Sequence, residues 1–97
     1  MLPVDWTHGA AHMWDNHGVS VPEATEAICD VEAVLFDPDP KSTSGRSARL
    51  LGYSHTRRRV LVGILVHRDD GSVGWWGANG WDTNSSDADI YWRGQSK

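Results

Sequence analysis

The chain is short of sulfur and of long apolar runs, and its first forty residues contain no lysine or arginine. One cysteine, Cys29, excludes an internal disulfide and offers no cysteine metal cluster, which suits a reducing compartment. The longest apolar run, "VLVGILV", is far too short to cross a bilayer. The start, "MLPVDWTHGAAHMWDNHG", has neither the basic end nor the unbroken apolar core of a signal peptide. The expectation is a cytoplasmic protein with no membrane partner. Neither a repeat nor a linker-like composition shift divides the 97 residues, so a single domain over 1–97 is expected.

What is present is charge sorted by position. The net charge of -4 averages three different segments. Residues 1–40 hold eight acids, and residues 41–68 hold seven Lys and Arg with no acid. The remainder, 69–97, is acidic again. Local fields steer ligands more than the mean does, so the basic middle segment is either a solvated face or the mouth of an anion site.

The pattern of elements predicts an α+β fold. "VDW" reads as a short first strand. "THGAAHMWDNHG" reads as a helix capped by Thr7 and ended by Gly18. "SVPEATEAICD" reads as a second helix, with Ser20 and Glu23 forming a capping box, Pro22 in the first turn and Val21, Ala24, Ala27 and Ile28 on one face. "EAVLFDPDP" is a strand stopped by prolines, and "KSTSG" is a loop. "RSARLLGYSHT" and "RVLVGILVHRD" are strands joined at the arginine triplet. "DDGS" carries a tight Asp-Gly turn into the strand "VGWWGANGW". "NSSDADIYWRG" closes the chain as a helix capped by Asn84 or Ser85. Two N-terminal helices, an antiparallel four-stranded sheet with room for a short extra N-terminal strand, and a short C-terminal helix follow from that order.

Several chemical signals are weaker than their composition suggests. His8 and His12 have the i, i+4 spacing that metal sites use, but no third ligand is fixed, and no metal or other cofactor is expected. Cys29 reads as a core filler rather than a nucleophile. The glycines of "GWWGANG" sit within a strand pattern, where they permit a bulge or a close backbone approach. Trp6, Trp14 and Trp92 read by default as core. Trp75 and Trp76 are adjacent in a strand, so one enters the core and the other lies on the opposite face beside the basic strands. A tryptophan beside arginines serves either base stacking over a cationic groove or the apolar centre of a protein interface.

Taken in order, "HGVSVPEATEAICD", "AVLFDPDP", "RSARLLGYSHTRRRVLVGILV" and "GANGW" resemble the BrnT-type toxins of bacterial type II toxin–antitoxin modules and the small proteins related to them. The matching positions are Trp6, His17-Gly18-Val19, Ser20 with Glu23 and Ala24, Asp37 and Asp39, Arg46 with Gly52 and Ser54, Arg59, Gly77-Ala78 and Tyr91. They span nearly the whole chain. The resemblance implies a RelE-like α+β fold, RNA cleavage that slows translation, and neutralisation by a ribbon-helix-helix antitoxin of BrnA type. Two features depart from the pattern. Asn79 stands where the toxins commonly carry arginine, and the last helix, "SSDADIYW", is acidic where theirs is basic. Both weaken the attraction of phosphate.

Metal-free RNA cleavage needs a base for the 2′-hydroxyl, an acid for the leaving oxygen, and cations where charge builds on the phosphoryl oxygens. Histidine titrates in the useful range and arginine supplies a permanent forked charge. The expected catalytic set is Arg59, His55, His17, Arg57 and His67, with Arg59 first because it is the family-matched position. The expected RNA contacts are Arg46, Arg49, Arg58, Arg68, Trp76, Trp81 and Tyr91. A catalytically silent homologue that serves as a protein-binding module for an antitoxin is the alternative.

Overall fold

Two long strands organise the chain: β3 (Ser47–Ser54) and β4 (Arg59–His67) pair antiparallel throughout. Their side chains alternate between two faces. Ala48, Leu50, Leu61 and Leu65 enter one apolar core, and Leu51, Val60 and Val62 enter a second on the other side. This computed structural model describes residues 3–68, 70 and 74–95. Within those residues β5 (Trp75–Asp82) pairs antiparallel with β4, and β2 (Val34–Phe36) pairs antiparallel with β3. A two-residue strand, β1 (Val4–Asp5), runs parallel to β5.

The sheet order is β1-β5-β4-β3-β2. The fold is therefore α+β with a five-stranded mixed sheet, and the purely antiparallel four-stranded sheet expected from the sequence is corrected. The cause is local: the free edge of β5 recruits the segment before α1, with the Trp75 amide donating to the Pro3 carbonyl at 2.9 Å. The Asp-Gly turn expected between β4 and β5 falls largely on residues outside those described.

Helices α1 (Ala10–His17) and α2 (Val21–Ile28) supply Met13, Ala24, Ala27 and Ile28 to the first core, and α3 (Ser85–Gln95) supplies Tyr91 to the second. The capping box forms as the spacing implies. Ser20 Oγ accepts from the Glu23 amide at 3.3 Å, and the Glu23 carboxylate accepts from the Ser20 amide at 2.9 Å. Asn84 caps α3, its Oδ1 accepting from the Asp87 amide at 2.9 Å. Close packing fixes two glycines. A Cβ on Gly52 would lie 2.0 Å from the Ala27 carbonyl oxygen of α2, and one on Gly77 would lie 2.4 Å from the Trp6 ring. The irregular pairing in "GWWGANG" is a register shift opposite Ile64 and Leu65.

Four local readings are corrected. Thr7 does not cap α1; its amide donates to Asp5 Oδ1 at 2.8 Å, and the helix begins at Ala10 without a side-chain cap. His8 therefore precedes the helix, and the His8–His12 pair does not share one helical face. Cys29 is exposed, because it follows the last residue of α2 and Ile28 takes the buried place. Trp14 and Trp92 are exposed, at 59% and 51%, while Trp6 is buried. Successive helical residues point about 100° apart, so burying Met13 and Tyr91 turns their neighbours Trp14 and Trp92 outward.

Candidate functional site

The turn between β3 and β4, residues 55–58, carries Arg57 and Arg58, Arg59 opens β4, and α2 holds the turn in place. The acids of α2 and of the residues just after it are spaced i, i+3, i+7, on a line opposite the apolar stripe. Glu26 accepts from Ser54 Oγ at 2.7 Å, from the Thr56 amide at 2.9 Å and from Thr56 Oγ1 at 2.7 Å. Those bonds, the Thr56 hydroxyl first, hold its carboxyl down at about 2. Asp30 accepts from the Tyr53 amide at 2.8 Å and from the Tyr91 hydroxyl. Burial pushes the Asp30 carboxyl up, but the hydrogen bonds from Tyr91, Tyr53 and Glu32 outweigh it and leave the group below its ordinary value. Glu23 reaches Arg57 at 3.4 Å.

Arg57 is the centre of this clamp. Its Nε and Nη2 donate to the two oxygens of Asp82 at 3.0 and 2.8 Å, and its Nη1 donates to the Gly18 carbonyl at 2.9 Å. One guanidinium thus ties the end of α1, the start of α2 and the end of β5 together. Its forked donors match the carboxylate, which is why arginine rather than lysine suits the position. The paired carboxylates, Asp82 foremost, hold its pKa above the ordinary arginine value.

Arg58 and Arg59 are different. Arg58 has a φ of 56°, in the left-handed region, and both residues are exposed. Among the described residues neither side chain pairs with a carboxylate. They line a cavity of about 240 Å³ together with Tyr53, Trp92, Thr83 and Asn84. Asp82 also borders this cavity, but both of its oxygens are engaged by Arg57. The Tyr53 and Trp92 rings stand edge to face with centroids 6.0 Å apart.

The remaining expected residues divide between the two ends of the sheet. His55 lies in the turn, exposed, with its ring against Tyr53 at 5.2 Å. His17 ends α1 and packs against Trp81 at 5.7 Å, beside Asn16 and Asp82. His67 lies at the far end of β4, stacked on Trp75 at 4.0 Å and bonded to Asp37 at 3.1 Å. It lies eight residue steps from Arg59, roughly 26 Å along β4. One reaction centre cannot use both. Arg68 is also at that far end, 4.0 Å over the Trp76 ring and paired with Asp70 at 2.9 Å. Arg46 is exposed just before β3, whose first residue pairs with Val66.

Two expected RNA contacts are withdrawn from solvent. Arg49 is 8% exposed, paired with Asp39 and Asp87 at 3.2 Å each, and lies 5.6 Å from the centroid of the half-buried Trp81. Tyr91 is 4% exposed, and its hydroxyl is committed to Asp30. Asn79 is half-buried opposite Ile64, and its Oδ1 accepts from the Gly80 amide. Glu26, Asp30, Asp82 and Trp92 are the site residues that sequence reasoning missed. The spacing of the α2 acids was a readable signal, but it did not reveal their partners 23 to 61 residues away.

Among the described residues no three His, Cys, Asp or Glu side chains gather as a metal site, and no helix is long and apolar enough to cross a membrane. In comparisons with known proteins, no family model matches this chain and no curated protein sequence matches it.

Proposed function

We propose that this chain is a cytoplasmic, RelE-like toxin of a type II toxin–antitoxin module, a metal-independent endoribonuclease that binds RNA at the β3–β4 turn and is neutralised by a ribbon-helix-helix antitoxin. The sequence resemblance supplies the class. The place is supported by one observation: of three consecutive arginines, one is locked into ion pairs and two stand unpaired beside the half-buried Tyr53 and exposed Trp92 rings. In this reading Arg59 and Arg58 hold the phosphoryl oxygens as charge builds on them. His55, in the same turn, carries a proton. The RNA 2′-oxygen attacks the adjacent phosphorus, the bond to the 5′-oxygen breaks, and the products are a 2′,3′-cyclic phosphate and a 5′-hydroxyl. Arg57 serves by positioning the turn.

The test is degradation of purified RNA with and without excess EDTA. Cleavage is expected to survive the chelator. Arg59→Ala is expected to lower the rate by about two to three orders of magnitude, the scale for losing one preorganised donor. Arg46→Ala lies outside the turn and is expected to change binding only modestly. Loss of cleavage in EDTA, restored by zinc, would sink the metal-independent mechanism. Equal rates for folded wild type and Arg59→Ala would remove the catalytic role of the turn.

The second reading is a catalytically silent homologue that only binds its antitoxin. The acidic residues of α3 and Asn79 in place of arginine favour it, because both reduce the attraction of phosphate. A protein that co-purifies with a ribbon-helix-helix partner and cleaves no RNA would establish it.

A further inference from the structure

We propose that the outer edge of β2 pairs with β2 of a second copy of this chain, antiparallel and centred on Leu35, so that two sheets become one. This surface lies apart from the arginine turn and owes nothing to the RNA reading.

Backbone direction singles out Leu35. β2 ends the sheet order, so one of its sides has no neighbouring strand. In an antiparallel ladder successive residues send their N–H and C=O to opposite neighbours. On β3, the Tyr53 amide donates to Asp30 and the Ser47 carbonyl accepts from the Asp39 amide, so these residues face the β2 side. By alternation Arg49 and Leu51 face it too, and their register partners are Phe36 and Val34. Leu35 lies between those two, so its N–H and C=O point away from the sheet. Among the described residues neither group has a hydrogen-bond partner. Its side chain is 41% exposed, and Val31, in the turn that leads to β2, is 95% exposed.

The edge is complementary to itself. A twofold axis through Leu35 sets the two Leu35 residues opposite each other and Val34 opposite Phe36 of the other copy. Apolar side chains then meet apolar side chains at all three strand positions. Glu32 falls opposite Pro38 and Asp37 opposite Ala33, so no acid faces its counterpart. Edge strands are commonly guarded by lysine, and residues 1–40 contain none. A foreign strand would have to match this apolar triplet, whereas a second copy matches it by symmetry. Three residues a side are few beside the roughly 20–30 of a standard interface, so the dimer is weak and depends on concentration. The two copies run in opposite directions, which leaves their arginine turns at opposite ends of the joined sheet.

The first test is sedimentation velocity of the full chain from about 10 μM to about 1 mM. A monomer that shifts to a dimer as concentration rises is expected, and a monomer throughout would overturn the proposal. Leu35→Pro removes the outward N–H but no bond to β3, so the fold should survive while dimerisation weakens at least about tenfold. Circular dichroism checks the fold. A folded Leu35→Pro that dimerises like the wild type would put the contact elsewhere and overturn the proposal. Cross-linking reads the register, in a Cys29→Ser background with oxidised glutathione as the oxidant. Leu35→Cys is expected to give a disulfide-linked dimer, since directly opposed residues of a hydrogen-bonded pair have Cα atoms about 5.5 Å apart. Val34→Cys, which faces Phe36, is expected to stay largely monomeric. Equal cross-linking at the two positions would overturn the Leu35 axis, even where Leu35→Pro fails to fold. A chain that stays monomeric yet binds a synthetic peptide of alternating valine and lysine would give the edge to a foreign strand, and that too would overturn the second copy.

Discussion

Arg57, Arg58 and Arg59 are chemically identical neighbours with different roles, and backbone conformation separates them. Arg57 enters the turn pointing at Asp82, while Arg58 at φ 56° turns away toward the cavity. What fixes that geometry is Glu26, whose carboxylate gathers three donors from Ser54 and Thr56. Its folded-state value of about 2 lies below the ordinary 4.5, so the folded protein binds this proton less readily than the unfolded chain does. The stabilisation from Glu26 is then complete above about pH 4.5 and is lost as pH falls toward 2. Glu26→Gln is expected to lower stability at neutral pH and to flatten the decline over that window. Urea midpoints measured across pH 7 to 2 check this, and parallel curves for the two proteins would show that the turn is held otherwise.

At the scale of elements, α3 is the helix that packs least against the sheet. Eleven residues form a marginal helix in water, and its acidic face brings little apolar surface to the sheet. Tyr91 holds it, through a buried ring in the second core and a hydroxyl on Asp30. Tyr91→Phe keeps the ring but leaves the partly buried Asp30 carboxylate one donor short. The expected cost is about 1–3 kcal/mol in a urea melt, with faster amide exchange confined to α3. A change below a few tenths of a kcal/mol would mean that packing alone secures the helix.

The same distinction explains what the sequence made legible. The Ser20–Glu23 capping box and the two long strands depend on spacing over a few residues, and they stand where the pattern placed them. The start of α1 did not, because Asp5 competes for Thr7, and a propensity cannot express that competition. The parallel β1–β5 pair, the burial of Arg49 between Asp39 and Asp87, and the Asp30–Tyr91 bond join segments distant along the chain. A reading of local pattern has no access to such pairings. The candidate site was legible as an arginine cluster. Which arginine is a clamp and which is free depended on carboxylates from α2 and β5.

Over the whole molecule, the same carboxylates transform the charge pattern. The seven cations of residues 41–68 suggest a broad basic face. In the fold, Arg49 is paired with Asp39 and Asp87, Arg57 with Asp82 and Glu23, and Arg68 with Asp70 and Asp5. The acidic N-terminal segment and the acidic C-terminal segment thus neutralise much of the basic middle. A protein of net charge -4 is left with an unpaired arginine pair at one end of its sheet. RNA affinity should register that difference through salt. Each phosphate contact on a single strand contributes about -0.7 to the slope of log K against log salt concentration. Seven engaged cations would give a slope of about -5, whereas Arg58 and Arg59 alone give about -1.4. The expected slope for a short single strand is near the smaller value, and the double variant Arg58→Ala/Arg59→Ala should bring it close to zero. A slope near -5 would mean that the buried arginines abandon their carboxylates for RNA. The double variant would then change it little, and the turn would lose its standing as the centre of the anion site.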